Sequence, residues 1–78
     1  MVKYPKIKKL RENKDKTQIQ VANDLDMWLT TYQNYEVGRR VPPFDFMVKL
    51  ARYYNVSLDY LAGFIDTPKE LNLKKDNK

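Results

Sequence analysis

The sequence predicts an all-α domain of five short helices. Apolar residues recur three and four positions apart along much of the 78-residue chain, which is the spacing of helices that bury one face. Strict alternation of apolar and polar residues, which would indicate strands, is rare. Only two glycines occur, so the tight turns of a hairpin-rich fold have few candidate positions. The length suits one domain and is too small for two.

The first two helices have recognisable starts. Pro5 suits the first turn of a helix, which the polar residues 12–16 bring to an end. Thr17 and Gln20 lie three residues apart and match a capping box, so they predict the start of a second helix. The buried face of this second helix is expected to carry Val21, Ala22 and Leu25.

The third helix is predicted at about Leu29–Val37, after a turn at residues 25–27. Asp26 in this turn is expected to adopt the left-handed conformation, which glycine adopts more easily. Tyr32 and Tyr35 are expected to face inward. The outward positions of this helix are Thr30, Thr31, Gln33 and Asn34.

A fourth helix is predicted at about Phe44–Tyr54, and a fifth after the N-cap candidate Ser57. The apolar stripe of the fourth helix is expected to consist of Phe44, Met47, Leu50, Ala51 and Tyr54. Phe46 and Tyr53 are expected to face outward. These elements define a domain at residues 1–63, followed by a C-terminal extension at residues 64–78 that is a dimer candidate near residues 64–65 and is otherwise expected to be loosely ordered.

The composition excludes several functional classes. Cysteine and histidine are both absent, which removes disulfides, thiolate metal sites and the commonest general base. We therefore expect no metal, no cofactor and no enzymatic activity. No apolar run approaches the roughly 18 residues that span a bilayer, and the N-terminus lacks the apolar stretch of a signal peptide. A cytoplasmic protein without a membrane partner is expected, and no small-molecule site is evident.

Positive charge is concentrated in two places. Fifteen Lys and Arg residues outnumber ten Asp and Glu, which gives a net charge of +5. Arg39 and Arg40 form one cluster, after the third helix. The other precedes Thr17 and comprises Lys3, Lys6, Lys8, Lys9, Arg11, Lys14 and Lys16. Clusters on both sides of a helical pair suit contact with phosphates, although an ordinary solvated basic surface is the alternative.

Several motifs, in their order and spacing, resemble the Cro and phage-repressor type of helix-turn-helix domain, also called the xenobiotic response element family. They cover about residues 7–63: Lys9-Leu10-Arg11, Thr17-Gln18, Val21-Ala22, Glu36-x-Gly38-Arg39-Arg40-x-Pro42, Leu50-Ala51 and Asn55-Val56-Ser57-Leu58-Asp59-Tyr60-Leu61. The resemblance implies a five-helix lambda-repressor-like fold with the helix-turn-helix at helices 2 and 3. It also implies a dimeric transcriptional regulator, usually a repressor, that reads a double-stranded DNA operator.

Three positions depart from the family pattern. Asp26 stands where the turn usually has glycine, Trp28 replaces a small polar helix cap, and Pro43 replaces a serine or threonine cap. The first two flank the reading helix, so they affect how it docks more than how the domain folds.

The resemblance also assigns residues to DNA. The base-reading positions are Leu29, Thr30, Gln33 and Asn34. Asn and Gln amides can pair with adenine, whereas Thr and Leu can pack on the thymine methyl group. Gln18 is expected to bridge a phosphate and the reading helix. Arg39 and Arg40 are expected to contact phosphates, with Lys6, Lys9 and Lys16 as weaker candidates.

Other residues are assigned to structure or assembly. Arg11 and Glu36 match a family ion pair that joins helix 1 to the end of helix 3. Trp28 either contacts DNA or folds back to cover Met27. The dimer candidates are Tyr60, Phe64 and Ile65, with Phe46 and Tyr53 as alternative adhesive positions. A different function, as an antitoxin or adaptor that sequesters a protein partner through the tail after Phe64, is the competing interpretation.

Overall fold

The computed structural model describes residues 4–66 and shows five α-helices and no strand within that range. They are α1 (Pro5–Asn13), α2 (Gln18–Asp24), α3 (Leu29–Val37), α4 (Phe44–Tyr54) and α5 (Leu58–Ala62). The all-α prediction is therefore confirmed. None of these helices has the length and apolar character needed to cross a membrane. The expected loose order at residues 67–78 lies outside the described residues.

Side chains cap two helices as the sequence predicts. The Thr17 hydroxyl accepts a hydrogen bond from the Gln20 backbone N–H at 3.1 Å, and the Gln20 side chain accepts one from the Thr17 N–H at 2.8 Å. This reciprocal pair satisfies two donors that the first turn of α2 would otherwise leave free. The Ser57 hydroxyl accepts from the Tyr60 N–H at 3.1 Å and caps α5 with this single bond.

The turn between α2 and α3 has the predicted left-handed residue. Asp26 has a φ of 56°, and the next N–H, that of Met27, donates to the Ala22 carbonyl at 2.9 Å. Gly38 ends α3 with a φ of 84°, where glycine avoids the strain that a Cβ would bring. Asp15, after α1, also has a φ of 56°. The sequence of the polar run 12–16 does not predict this left-handed conformation.

The core lies between α1, α3 and the α4–α5 pair, with α2 packed against α3. Tyr32 is fully buried at its centre. The other buried apolar residues are Ile7, Leu10, Val21, Ala22, Leu25, Phe46, Met47, Leu50, Ala51, Tyr54, Val56, Tyr60 and Leu61. Tyr35 is half-buried and packs against this cluster, so the expected inward direction of both α3 tyrosines is confirmed.

The predicted stripe of α4 is wrong at two positions. Phe44, expected inside, is 70% exposed, and Phe46, expected outside, is buried. The Phe46 ring packs on Tyr35 at 4.7 Å and on Tyr32 at 6.2 Å between ring centroids. The tyrosines of α3 decide which face of α4 is covered, and Phe44 at the first residue of α4 lies off that face.

The structure also changes the set of candidate dimer residues. Tyr60 is 8% exposed and belongs to the core, with the Lys6 ammonium 5.0 Å from its ring centroid. Its ring therefore offers little surface to a second copy. Ile65 is half-buried and packs against the core, whereas Phe64 is 83% exposed.

Candidate nucleic-acid interface

The outer side of α3 is polar and open. Thr30 is exposed, and Gln33 and Asn34 are half-buried, so the monomer does not cover this face. Leu29 is half-buried and packs partly against the core, which leaves less of it for a partner than the sequence suggested. We call the four residues Leu29, Thr30, Gln33 and Asn34 the reading face.

A buried carboxylate holds α3 against α1 and α2. Glu36 is 2% exposed and forms the ion pair expected with Arg11, whose Nε and Nη2 donate to its two oxygens at 2.9 and 3.0 Å. The Tyr32 hydroxyl donates to it at 2.6 Å and Gln18 Nε2 at 3.1 Å. Arg11 also donates to the Lys16 carbonyl at 2.8 Å. The end of the reading helix is thus tied to the start of α2.

The electrostatics of this cluster keep Glu36 charged. Burial opposes the charge, but hydrogen bonds from Arg11, Tyr32 and Gln18 outweigh it and lower the pKa of Glu36. The hydrogen bond to Glu36 raises the pKa of Arg11 against the opposing effect of burial. Burial, together with the bond to Glu36, raises the pKa of Tyr32. At neutral pH the carboxylate therefore acts only as an acceptor.

Gln18 connects this buried cluster to the reading face. While its amide nitrogen donates to Glu36, its carbonyl oxygen accepts from Gln33 Nε2 at 3.0 Å. The sequence predicted that Gln18 would reach the reading helix, but it did not identify Gln33 as the partner. These two side chains come together only because α2 packs across α3.

The two arginines expected at phosphates follow the reading helix directly. Arg39 and Arg40 are exposed, and the backbone N–H groups of both donate to the Asn34 carbonyl, at 2.9 and 3.2 Å. Arg39 Nη1 also donates to Asn34 Oδ1 at 2.9 Å. The backbone of both arginines is thus held close to the C-terminal part of the reading face.

Trp28 lies at the N-cap of α3 and is 82% exposed. With Asn23, Asp26 and Met27 it lines an open hollow beside the turn. A ring folded over Met27 would lose one of its faces to that contact, whereas Trp28 is 82% exposed, so the structure does not show this cover. The indole is therefore exposed at the N-terminal end of α3, the helix that also carries Thr30.

Further contacts, which the sequence did not indicate, hold α2 on α4. Lys49 donates to the Leu25 carbonyl at 2.8 Å and satisfies an acceptor at the end of α2. The Tyr53 hydroxyl donates to Asp24, and the Lys16 ammonium lies 3.7 Å from the same carboxylate. Lys16, a weak phosphate candidate, is therefore already paired. No spacing along the chain relates α2 to α4, so only the folded structure reveals these contacts.

Among residues 4–66, no cluster of three or more acidic residues could hold a metal ion.

Comparison with known proteins places the chain in a family. The family model described as "Helix-turn-helix" matches residues 7–61. The chain is similar to the uncharacterized HTH-type transcriptional regulator YobD of Bacillus subtilis, with 36% identity over 63 residues that cover 81% of this chain and 56% of the relative. It is also similar to the CTXphi transcriptional repressor RstR of Vibrio cholerae, with 37% identity over 62 residues that cover 77% of this chain and 55% of the relative.

A third relative is the HTH-type transcriptional regulator ImmR of Bacillus subtilis, 35% identical over 65 residues, or 83% of this chain and 51% of the relative. The chain thus spans about half the length of the curated relatives it matches. No solved structure gave a significant match. The extent of the family match and the five-helix architecture agree: this chain belongs to the Cro and phage-repressor type of helix-turn-helix domains.

Proposed function

We propose that this domain binds a specific DNA operator, with α3 in the major groove, and represses transcription. The observation that carries the proposal is the open reading face of α3, which is braced from behind by the buried Arg11–Glu36 pair. A recognition helix must present polar side chains while its opposite side is fixed to the domain. The naming of RstR as a repressor and of YobD and ImmR as regulators supports this function.

Phosphate contacts supply affinity in this proposal. Arg39 and Arg40 are exposed beside the reading face, so both guanidinium groups can reach the phosphates of the DNA strands that flank the major groove. Gln18 uses one amide hydrogen on Glu36, and its second hydrogen is available for a phosphate. These contacts orient the domain without selecting a sequence, and they make binding depend on salt.

Trp28 extends the contact surface at the N-terminal end of α3. Its exposed indole can pack on a deoxyribose or donate its N–H to a phosphate. Thr30, two residues further along the chain, can pack its methyl group on a thymine methyl.

A dimer completes the operator in this proposal. One reading helix covers about half a site, and a two-fold pair places two such helices about 34 Å apart, one turn of DNA. Phe64, 83% exposed after α5, is the apolar residue that a second copy would cover, with Ile65 beside it. Tyr60 has no part in this contact because its ring is already buried.

Selection of bound sequences from random DNA tests the function. Enrichment of a palindrome, with half-sites one helical turn apart, is the expected result. The competing function, a module that sequesters a protein partner, is favoured by the same exposed Phe64. Binding that falls with salt but prefers no sequence would reject the operator proposal and support that alternative.

A further inference from the structure

The side-chain amide of Gln18 has an orientation that Glu36 dictates. An ionised carboxylate only accepts hydrogen bonds and offers about four lone-pair directions. Four donors reach Glu36: two nitrogens of Arg11, the Tyr32 hydroxyl and the Gln18 side chain. The group that Gln18 turns toward the carboxylate must therefore be its nitrogen. The reverse orientation would place a carbonyl oxygen against a carboxylate oxygen at 3.1 Å.

The orientation of Gln18 then sets that of Gln33. With its nitrogen on Glu36, Gln18 presents its carbonyl oxygen to Gln33, and Gln33 Nε2 donates to that oxygen at 3.0 Å. A reversed Gln33 amide would bring two carbonyl oxygens together at this distance. Both amides are thus locked in one orientation by a charge that is 98% buried, since Glu36 is 2% exposed.

This arrangement leaves a defined group on Gln33 open to a partner. Gln33 Oε1 accepts no hydrogen bond from residues 4–66, and it is not among the buried polar atoms that lack a partner. Gln33 is a half-buried residue, and an unpartnered oxygen that is not among those buried atoms is at least partly exposed to solvent. No lone pair of this oxygen is used within residues 4–66, whereas one hydrogen of Nε2 is already used.

We propose that Gln33 reads DNA as a hydrogen-bond acceptor, its Oε1 accepting from the exocyclic amine of a base, with Gln18 and Glu36 as the positioning residues. In the major groove the amines are N6 of adenine and N4 of cytosine, whereas guanine O6 and thymine O4 are acceptors. An outward carbonyl oxygen attracts the amines and is repelled by the acceptors. This inference rests on the proposed function, because it names the group that the reading face recognises.

Asn34 provides the contrast. Its Oδ1 accepts from Arg39, but this hydrogen bond is exposed, so little prevents the Asn34 amide from turning over. The sequence alone treats Gln33 and Asn34 as equivalent amides on one helix. The structure fixes the polarity of Gln33 and leaves that of Asn34 adjustable, which makes Asn34→Ala a matched control for the loss of an amide.

The experiment combines protein variants with base analogues. Selection with the wild type and with Gln33→Met, which keeps the length of the side chain, identifies the base pair that Gln33 reads. Dissociation constants are then measured on DNA in which one base of that pair is replaced by an analogue without the exocyclic amine. Purine replaces adenine, or 2-pyrimidinone replaces cytosine. A second duplex carries 7-deazaadenine or 7-deazaguanine at the same pair and so lacks only the N7 acceptor.

Removal of the amine should weaken binding of the wild type by on the order of fivefold to tenfold, as expected for one hydrogen bond. The same removal should leave Gln33→Met unaffected, and Asn34→Ala should retain the wild-type sensitivity. Gln18→Met frees the Gln33 amide to turn over, so its sensitivity to the amine should fall to about twofold. Thermal melting of each variant verifies that it is folded.

Equal sensitivity of the wild type and Gln33→Met to the amine, or sensitivity of the wild type to N7 alone, would overturn the inference. Unchanged sensitivity in Gln18→Met would remove Gln18 as a positioning residue. If the wild type selects no sequence at all, the proposed function fails together with the inference. A selected site without an amine effect rejects the inference alone.

Discussion

Replacing Arg11 by methionine tests whether the buried ion pair holds the reading helix in place. The substitution removes three hydrogen bonds, two to Glu36 and one to the Lys16 carbonyl. It leaves Glu36 charged at 2% exposure, and within residues 4–66 only Tyr32 and Gln18 remain as its donors. Breaking a buried pair on one side typically costs about 3–5 kcal/mol. The two remaining donors place the expected loss at the lower end, about 3 kcal/mol.

A loss of this size is large for so small a domain. One kcal/mol shifts the melting temperature of a 60–100-residue domain by about 4–8 °C, so Arg11→Met should lower it by roughly 12–24 °C. The measurements are thermal melting followed by circular dichroism and urea unfolding at pH 7. The control is Arg52→Met, which removes the same side chain from an exposed position on α4 and should change stability by less than about 0.5 kcal/mol.

A second substitution separates the unpaired charge from the lost packing. If the penalty comes from the stranded carboxylate, adding Glu36→Gln to Arg11→Met should recover part of the stability, because the amide carries no charge. Two results would refute the reasoning. One is equal stability of Arg11→Met and Arg52→Met, and the other is a double variant that is less stable than the sum of the single changes.

The remaining predictions concern the turn, the phosphate contacts and acid stability. Asp26→Gly should raise the melting temperature by about 2–8 °C, because it relieves left-handed strain at a φ of 56°; Asp45→Gly, in the first turn of α4, should lower it, and a fall for both would contradict the strain. Arg40→Ala should flatten the salt dependence of DNA binding by about one unit of slope, whereas Arg52→Ala should not, and equal slopes would exclude a phosphate contact. The pKa of Glu36 lies below its ordinary value of 4.5, so its contribution is complete above that pH and is lost as the pH falls through the lower pKa of the folded state. Urea unfolding in an acid series measures this loss, and stability that does not fall on acidification would contradict it.

The sequence predicted local features well because their determinants are adjacent along the chain. The Thr17–Gln20 capping box and the left-handed Asp26 depend on residues within one turn. The bounds of α3 and α4 were likewise predictable, since Gly38 and Asn55 take the left-handed conformation at their ends.

The error on α4 has a different origin. Its apolar residues permit two stripes that share most of their members, one with Phe44 and one with Phe46. Periodicity does not reveal which stripe a neighbouring helix covers. The Tyr32 and Tyr35 rings select Phe46 through their packing on it, and this choice depends on how α3 crosses α4.

The candidate interface was predictable as a set of residues but not as a set of oriented groups. Family resemblance indicated Gln18 and Gln33, and the i to i+4 spacing of Tyr32 and Glu36 places that pair on one side of α3. Neither pattern shows that Gln18 lies between Glu36 and Gln33. That position depends on tertiary packing, and it determines which atom of an amide faces outward.

The buried charge of Glu36 therefore has a consequence that a hydrophobic replacement would not reproduce. Apolar residues of similar size often match or exceed a buried ion pair in stability, so stability alone does not explain its presence. Only a group that accepts and never donates can force the Gln18 nitrogen inward, and only then is the Gln33 oxygen directed outward. In our interpretation, the ion pair gives Gln33 on the reading face a fixed hydrogen-bonding polarity, and the domain retains a charge in its core for recognition as much as for folding.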